Sequence, residues 1–179
     1  MTWDPGIGGN GLRVRCFLDT EYSDTTQRRP ISVALVAEDG REYYAEVADG
    51  WTPADCSEFV IRNVLPHLCR SPDVIITRAA IRETLPRWLS SLGGPATITY
   101  DLRADWSVLS ALFDDLPNRF GIHGRLLRWG DPAMEERFAR RIDAWYEANG
   151  PRHNALVDAR GLRACVLAVE KEFGRRVFE

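Results

Sequence analysis

Ile31-Ser32-Val33-Ala34-Leu35-Val36-Ala37, followed by Glu38-Asp39-Gly40-Arg41 and then Glu42-Tyr43-Tyr44-Ala45-Glu46-Val47, decides the fold class. The first seven residues form a continuous, largely apolar run rich in β-branched side chains, the pattern of a strand covered on both faces. Glu38 to Arg41 supplies a glycine-containing turn, and Tyr43, Tyr44 and Val47 favour a strand returning beside the first. Upstream, Arg13 to Glu21 is another short apolar run that ends in polar residues. Three strands with short connections predict an antiparallel meander at the start of the chain.

Downstream the period changes. Thr52-Pro53-Ala54-Asp55 reads as a helix entry with Thr52 as cap, and Phe59, Val60, Val64 and Leu68 follow at helical spacing until Pro66 shortens the helix. A second helix from Thr77 carries Ile81, Leu85, Trp88, Leu89 and Leu92 on one face and stops at Gly93-Gly94-Pro95. Ala96 to Tyr100 is read as the next strand and Ala104 to Phe113 as the next helix. Asp114 to Gly130 is the least regular stretch, with a short strand read at Leu126 to Trp129. Asp131-Pro132 starts a charged amphipathic helix to Asn149, and a long last helix follows from Asn154. Strands first, then helices interleaved with strands around one sheet, give an α/β or α+β domain.

A chain of 179 residues suits one domain with a core of its own. Residues 1–12, with three glycines by Gly9, are read as a flexible lead-in, and 13–179 as the single domain. No apolar run nears the ~20 residues of a membrane span, and the start lacks the basic-then-apolar order of a signal peptide, so a cytoplasmic protein without a membrane role is expected. The four cysteines form no Cys-x-x-Cys pair, which excludes a zinc knuckle or a redox motif and leaves them as reduced, mostly buried residues. A net charge of -3 argues against broad binding of duplex nucleic acid. Lys171 is the only lysine, so nearly all cations are arginines, which suit bidentate phosphate contacts.

Asp19 and Glu21 lie two apart at the end of an apolar run, and in a strand that spacing sends both carboxylates to one face, where they invite a cation. The strand at Thr97 to Tyr100 delivers the chain to Asp101 and Asp105, four apart and able to share a helix face if the helix begins early. His153 precedes Asp158 by five residues, which inside one helix amounts to a rotation of about 500° and different faces. Pro151 and Arg152 place His153 on the approach instead, with Asn154 as cap and Asp158 in the first turns, so that an imidazole leans over an anchored carboxylate. His67 and His123 are read as ordinary surface or core histidines.

Taken in order, Asp19-Thr20-Glu21, Asp105 (or Asp101), and His153 with Asp158 resemble the DEDDh group of 3′-to-5′ exonucleases. FLDTEYSD, VALVAEDGREYYAEV and HNALVDARGLRA look like the small single-domain bacterial exoribonucleases related to ribonuclease T, and the resemblance runs from Arg13 to about Phe173. The middle motif departs from the family: Tyr100-Asp101-Leu102-Arg103-Ala104-Asp105 stands where His-Asn-x-x-Phe-Asp is usual. Matching Asp105 and Leu109 to the family's Asp-x-x-x-Leu favours Asp105 and puts Asp101 at the asparagine.

The resemblance implies an α/β, ribonuclease-H-like mixed sheet of five strands, the first three antiparallel, flanked by helices. It implies two divalent cations, Mg²⁺ or Mn²⁺, held by Asp19, Glu21, Asp105 and Asp158, with His153 as general base. The hard oxygen ligands suit those ions. Single-stranded RNA, cut from its 3′ end to nucleoside 5′-monophosphates, is the expected substrate, with single-stranded DNA or very short oligonucleotides as alternatives. A non-catalytic RNA- or protein-binding module is the rival from another class. Thr20 and Tyr22 are candidates for positioning the terminal nucleotide, and Trp106, Trp129 and Arg103 for lining a groove. Relatives of ribonuclease T often dimerise, so a homodimer is expected, and the face of Phe138, Ile142, Trp145 and Tyr146 can pack on the core or on a second copy.

Overall fold

β1 (Val14–Tyr22) lies near the centre of a six-stranded sheet ordered β4-β3-β2-β1-β5-β6, where β2 is Pro30–Ala37, β3 Glu42–Val47, β4 Ile75–Ile76, β5 Ala96–Tyr100 and β6 His123–Leu126. The structure, a computed structural model, describes residues 13–69, 71–113 and 122–177. The expected lead-in and much of the irregular stretch after 113 lie outside them. β1, β2 and β3 form the antiparallel meander, with Asp19 opposite Ala34 and Glu21 opposite Ser32. β5 adds parallel to β1, and β6 parallel to β5. These are the five expected strands. β4, two residues long and parallel to β3, extends the far edge, and so short a strand leaves no periodicity to read.

The last strand falls three residues earlier than Leu126 to Trp129. Residues 123–125 are exposed and polar enough to pass for a loop, whereas the apolar Leu127 and Trp129 beyond them belong to a core cluster with Leu162 and Val166. Gly124 is required in β6: a Cβ there would come within 2.7 Å of the Trp106 ring. That indole stacks on Tyr100 at 5.6 Å, and Trp129 packs on Phe138 at 5.0 Å, so both tryptophans are core residues rather than groove walls.

The sheet is covered on both faces, as the all-buried β2 demands. On one side Cys16, Leu18, Val33, Leu35 and Ile98 meet Ile81, Leu85 and Leu89 of α2 (Arg78–Ser91) and Leu109 of α3 (Arg103–Ala111). On the other, Phe17 meets Leu162, Val166 and Val169 of α5 (Ala155–Phe173), and Ala34 and Val36 meet its Ala155 and Ala159. α4 (Pro132–Asn149) lies against α5, where Gly161 admits it: a Cβ at 161 would meet Trp145 at 2.7 Å and Ile142 at 3.1 Å. Of the apolar face of α4, Ile142 and Trp145 thus pack against α5 within the chain, and Phe138 packs against Trp129.

The single helix expected from Thr52 is divided. Thr52 and Asp55 cap each other around a 3-10 turn at Pro53–Asp55, Cys56 is extended, and α1 (Glu58–Asn63) starts afresh with the Ser57 hydroxyl accepting from the Val60 amide at 3.3 Å. Pro66 then forces a second 3-10 turn at Leu65–His67. The division turns Phe59 outward, to 54% exposure, although helical spacing places it on the buried face. Of the cysteines, Cys16 and Cys165 are buried, but Cys69, in the loop past that turn, is exposed. No helix among the described residues is long and apolar enough to cross a membrane.

Candidate active site

Because β1 and β5 run parallel, both deliver the chain to the same end of the sheet, where acids gather. Asp19 and Glu21 project from the end of β1, which closes with a register shift at Glu21/Tyr22. Asp101 follows β5 directly, and Asp105 stands in the first turn of α3. From across the sheet, Asp158 enters in the first turn of α5. One ligand atom each from Asp19, Asp101 and Asp105 lie within 4.8 Å of one another, and so do one each from Glu21, His153 and Asp158. Asp101 and Asp105 are therefore not alternatives in space: α3 begins only at Arg103, Asp101 precedes it, and both reach Asp19.

Asp105 is 1% exposed. Its Oδ1 accepts from the Thr20 hydroxyl at 2.8 Å and, more weakly, from the Thr20 amide at 3.3 Å, while Oδ2 is buried without a partner. Asp158 repeats the arrangement: Oδ2 accepts from the His153 amide at 2.9 Å, and Oδ1 is a buried orphan. The Tyr146 hydroxyl also interacts with the Asp158 carboxylate. Orphaned carboxylate oxygens in a polar cluster are costly unless something positive completes them. Burial, then repulsion among the acids, raises Asp19 well above the usual carboxylate range and lifts Glu21 to about 8. Burial lifts Asp105 to about 7 against the opposing hydrogen bond from Thr20. An all-oxygen set of this kind, with one imidazole at its edge, fits a hard divalent cation.

His153 sits between α4 and α5 in a left-handed backbone conformation, φ +68°, which a non-glycine residue adopts at a cost on the order of 1 kcal/mol. Its neighbour Asn154 fixes it: Oδ1 accepts from the Val157 amide at 3.1 Å, capping α5, and Nδ2 donates to the His67 carbonyl at 2.8 Å. The imidazole meets the edge of the Phe59 ring, centroids 5.0 Å apart and planes at 85°.

These groups line one cleft of about 370 Å³, together with Thr20 and Tyr22. Phe59, Leu102, Tyr146 and Arg152 also line it and are absent from the candidates read from the sequence. Phe59 and Tyr146 were hidden by their helical spacing among core residues. Arg152 had a weak signal, its position just before His153. Arg103 is exposed and is not among the residues that line the cleft.

No protein-family model matches the chain. Two proteins described as 3′-5′ exoribonucleases, from Mycobacterium tuberculosis strains CDC 1551 / Oshkosh and ATCC 25618 / H37Rv, are each 34% identical to it over 163 residues, 82% of this chain and 88% of theirs.

Proposed function

Since the chain belongs to the family of these 3′-5′ exoribonucleases, we propose that it removes nucleoside 5′-monophosphates from the 3′ end of single-stranded RNA as a DEDDh-type enzyme of the ribonuclease-T-like kind. The observation that carries this reading is the convergence of Asp19, Glu21, Asp105 and Asp158 in one cleft, with His153 at its edge.

The four carboxylates would hold two divalent cations, Mg²⁺ or Mn²⁺. Such ions, when bound, neutralise the charge that develops at an in-line phosphodiester displacement and favour the ionised form of the attacking water. Thr20 holds Asp105 through two hydrogen bonds, and the His153 amide holds Asp158, so the ligands are oriented before substrate arrives. His153 accepts the proton of the attacking water as it bonds to phosphorus. The phosphorus–O3′ bond breaks, the departing O3′ takes up a proton, and the shortened strand leaves. Phe59 and Leu102, 54% and 58% exposed at the cleft, offer apolar surfaces for the terminal base.

A time course on 5′-labelled RNA and DNA of one sequence, with Mg²⁺, Mn²⁺ or chelator, tests the reading. A ladder shortening from the 3′ end, lost with chelator and in Asp19→Ala, is expected. His153→Ala should lose a factor on the order of 10²–10⁴ in rate with metal affinity retained. Full activity of Asp19→Ala overturns the scheme. The confined cleft, with six carboxylates and Arg152 as its only arginine or lysine among the described residues, favours one second reading, a preference for very short strands. Comparing a dinucleotide with a long oligomer decides it.

A further inference from the structure

A polyanion entering this cleft meets Asp19, Glu21, Asp24, Asp101, Asp105 and Asp158. Cations bound by the carboxylates offset that charge only where they sit. Arg152 is the single arginine or lysine side chain on the cleft wall among the described residues, and it is held from two sides. Asp143 of α4 pairs with its Nη2, and the guanidinium carbon lies 4.6 Å from the centroid of the Tyr146 ring, one turn further along α4. Its side chain keeps 54% of its exposure, enough for a ligand to reach it. A guanidinium has five N–H donors, so the pair with Asp143 leaves several for a second anion, and seating on an aromatic face lowers the entropy lost when it binds one.

Tyr146 gives the arrangement its direction. The ring that supports Arg152 carries the hydroxyl that interacts with Asp158, so the cation and one of the carboxylates of the cluster share a support. Resting on the exonuclease reading of the site, we propose that Arg152 is a substrate-binding residue: its free donors take a non-bridging phosphate oxygen of the strand, at or next to the bond that is cut. Asp143 and Tyr146 are its positioning residues.

Binding of a short single-stranded RNA is measured by fluorescence anisotropy with Ca²⁺ in place of Mg²⁺, using strands in which each of the last three linkages in turn is a neutral methylphosphonate. At one linkage the neutral replacement should weaken wild-type binding about ten- to hundred-fold, the range of a charge-assisted hydrogen bond, and leave Arg152→Ala unchanged. Arg152→Lys should recover part of the loss, since the charge stays and the fork goes. Tyr146→Phe keeps the ring and should retain the linkage effect. Equal methylphosphonate penalties in wild type and Arg152→Ala, or binding by Arg152→Ala within two-fold of wild type, overturn the proposal and leave Arg152 a staple between α4 and the loop before α5. Shortening of RNA from its 3′ end with Mg²⁺, followed in the same wild-type preparation, separates the two readings. Degradation with a flat comparison removes Arg152 alone, and a wild type that neither binds nor degrades RNA removes both.

Discussion

Asp105 Oδ2 and Asp158 Oδ1, buried oxygens with no hydrogen-bond partner, make the acid cluster a liability for the metal-free fold. Glu21 at about 8 and Asp105 at about 7 stand above their ordinary values of 4.5 and 3.8. A folded state with raised carboxyl pKa values binds more protons than the unfolded chain, so its contribution to stability is complete below the ordinary values and is lost as pH rises through about 7 to 8. In chelator, calorimetry should therefore show Tm falling as pH rises from about 5 to about 8. Divalent cation should restore it at the upper end, by binding the ionised carboxylates. A Tm that rises over that range without metal contradicts the assignment. Thr20 belongs to the same economy of charge. Thr20→Val removes the hydroxyl 2.8 Å from Asp105 Oδ1 at nearly constant shape, and Mn²⁺ affinity should drop roughly 10–100-fold, read by titration calorimetry.

At the scale of elements, the site depends on how closely α4 and α5 approach. Gly161 sets that distance, since a Cβ there would stand 2.7 Å from Trp145. Gly161→Ala should cost ~1–3 kcal/mol in a denaturant titration, the usual range for overpacking. It should also displace Tyr146, next to Trp145, from Asp158, which a weaker metal affinity would report. A variant as stable as wild type would mean that α4 yields freely. Asn154 joins elements differently, capping α5 while holding the His67 carbonyl of the turn that Pro66 creates. The cap is legible in sequence because capping is a local competition for the first free amides of a helix. The bond to His67 is not, because it spans 87 residues.

Over the whole molecule, Arg15 of β1 and Glu170 of α5 form a two-point ion pair at 2.6 and 2.7 Å, both residues buried, joining positions 155 apart. Removing one partner leaves a charge in the interior, so Arg15→Met alone should destabilise by ~3–5 kcal/mol. Arg15→Met with Glu170→Leu should recover much of that in the same denaturant titration, and no recovery would show that the pair does more than neutralise itself. What the sequence by itself determined is what obeys short-range rules. The β-branched run of β2 required a strand covered on both faces, the two-residue step from Asp19 to Glu21 required a common face, and Asn154 before an apolar repeat required a helix start just after His153. Phe59 shows where such rules end, since mutual capping of Thr52 and Asp55 and the proline at 66 broke one expected helix and turned its ring outward to the cleft. Only tertiary structure brought Asp101 and Asp105 together at Asp19 and set Tyr146 between Arg152 and Asp158. Those meetings follow from parallel pairing of β1 with β5 and from the packing of α4 at Gly161. Both are contacts between segments distant along the chain, and no local periodicity encodes them.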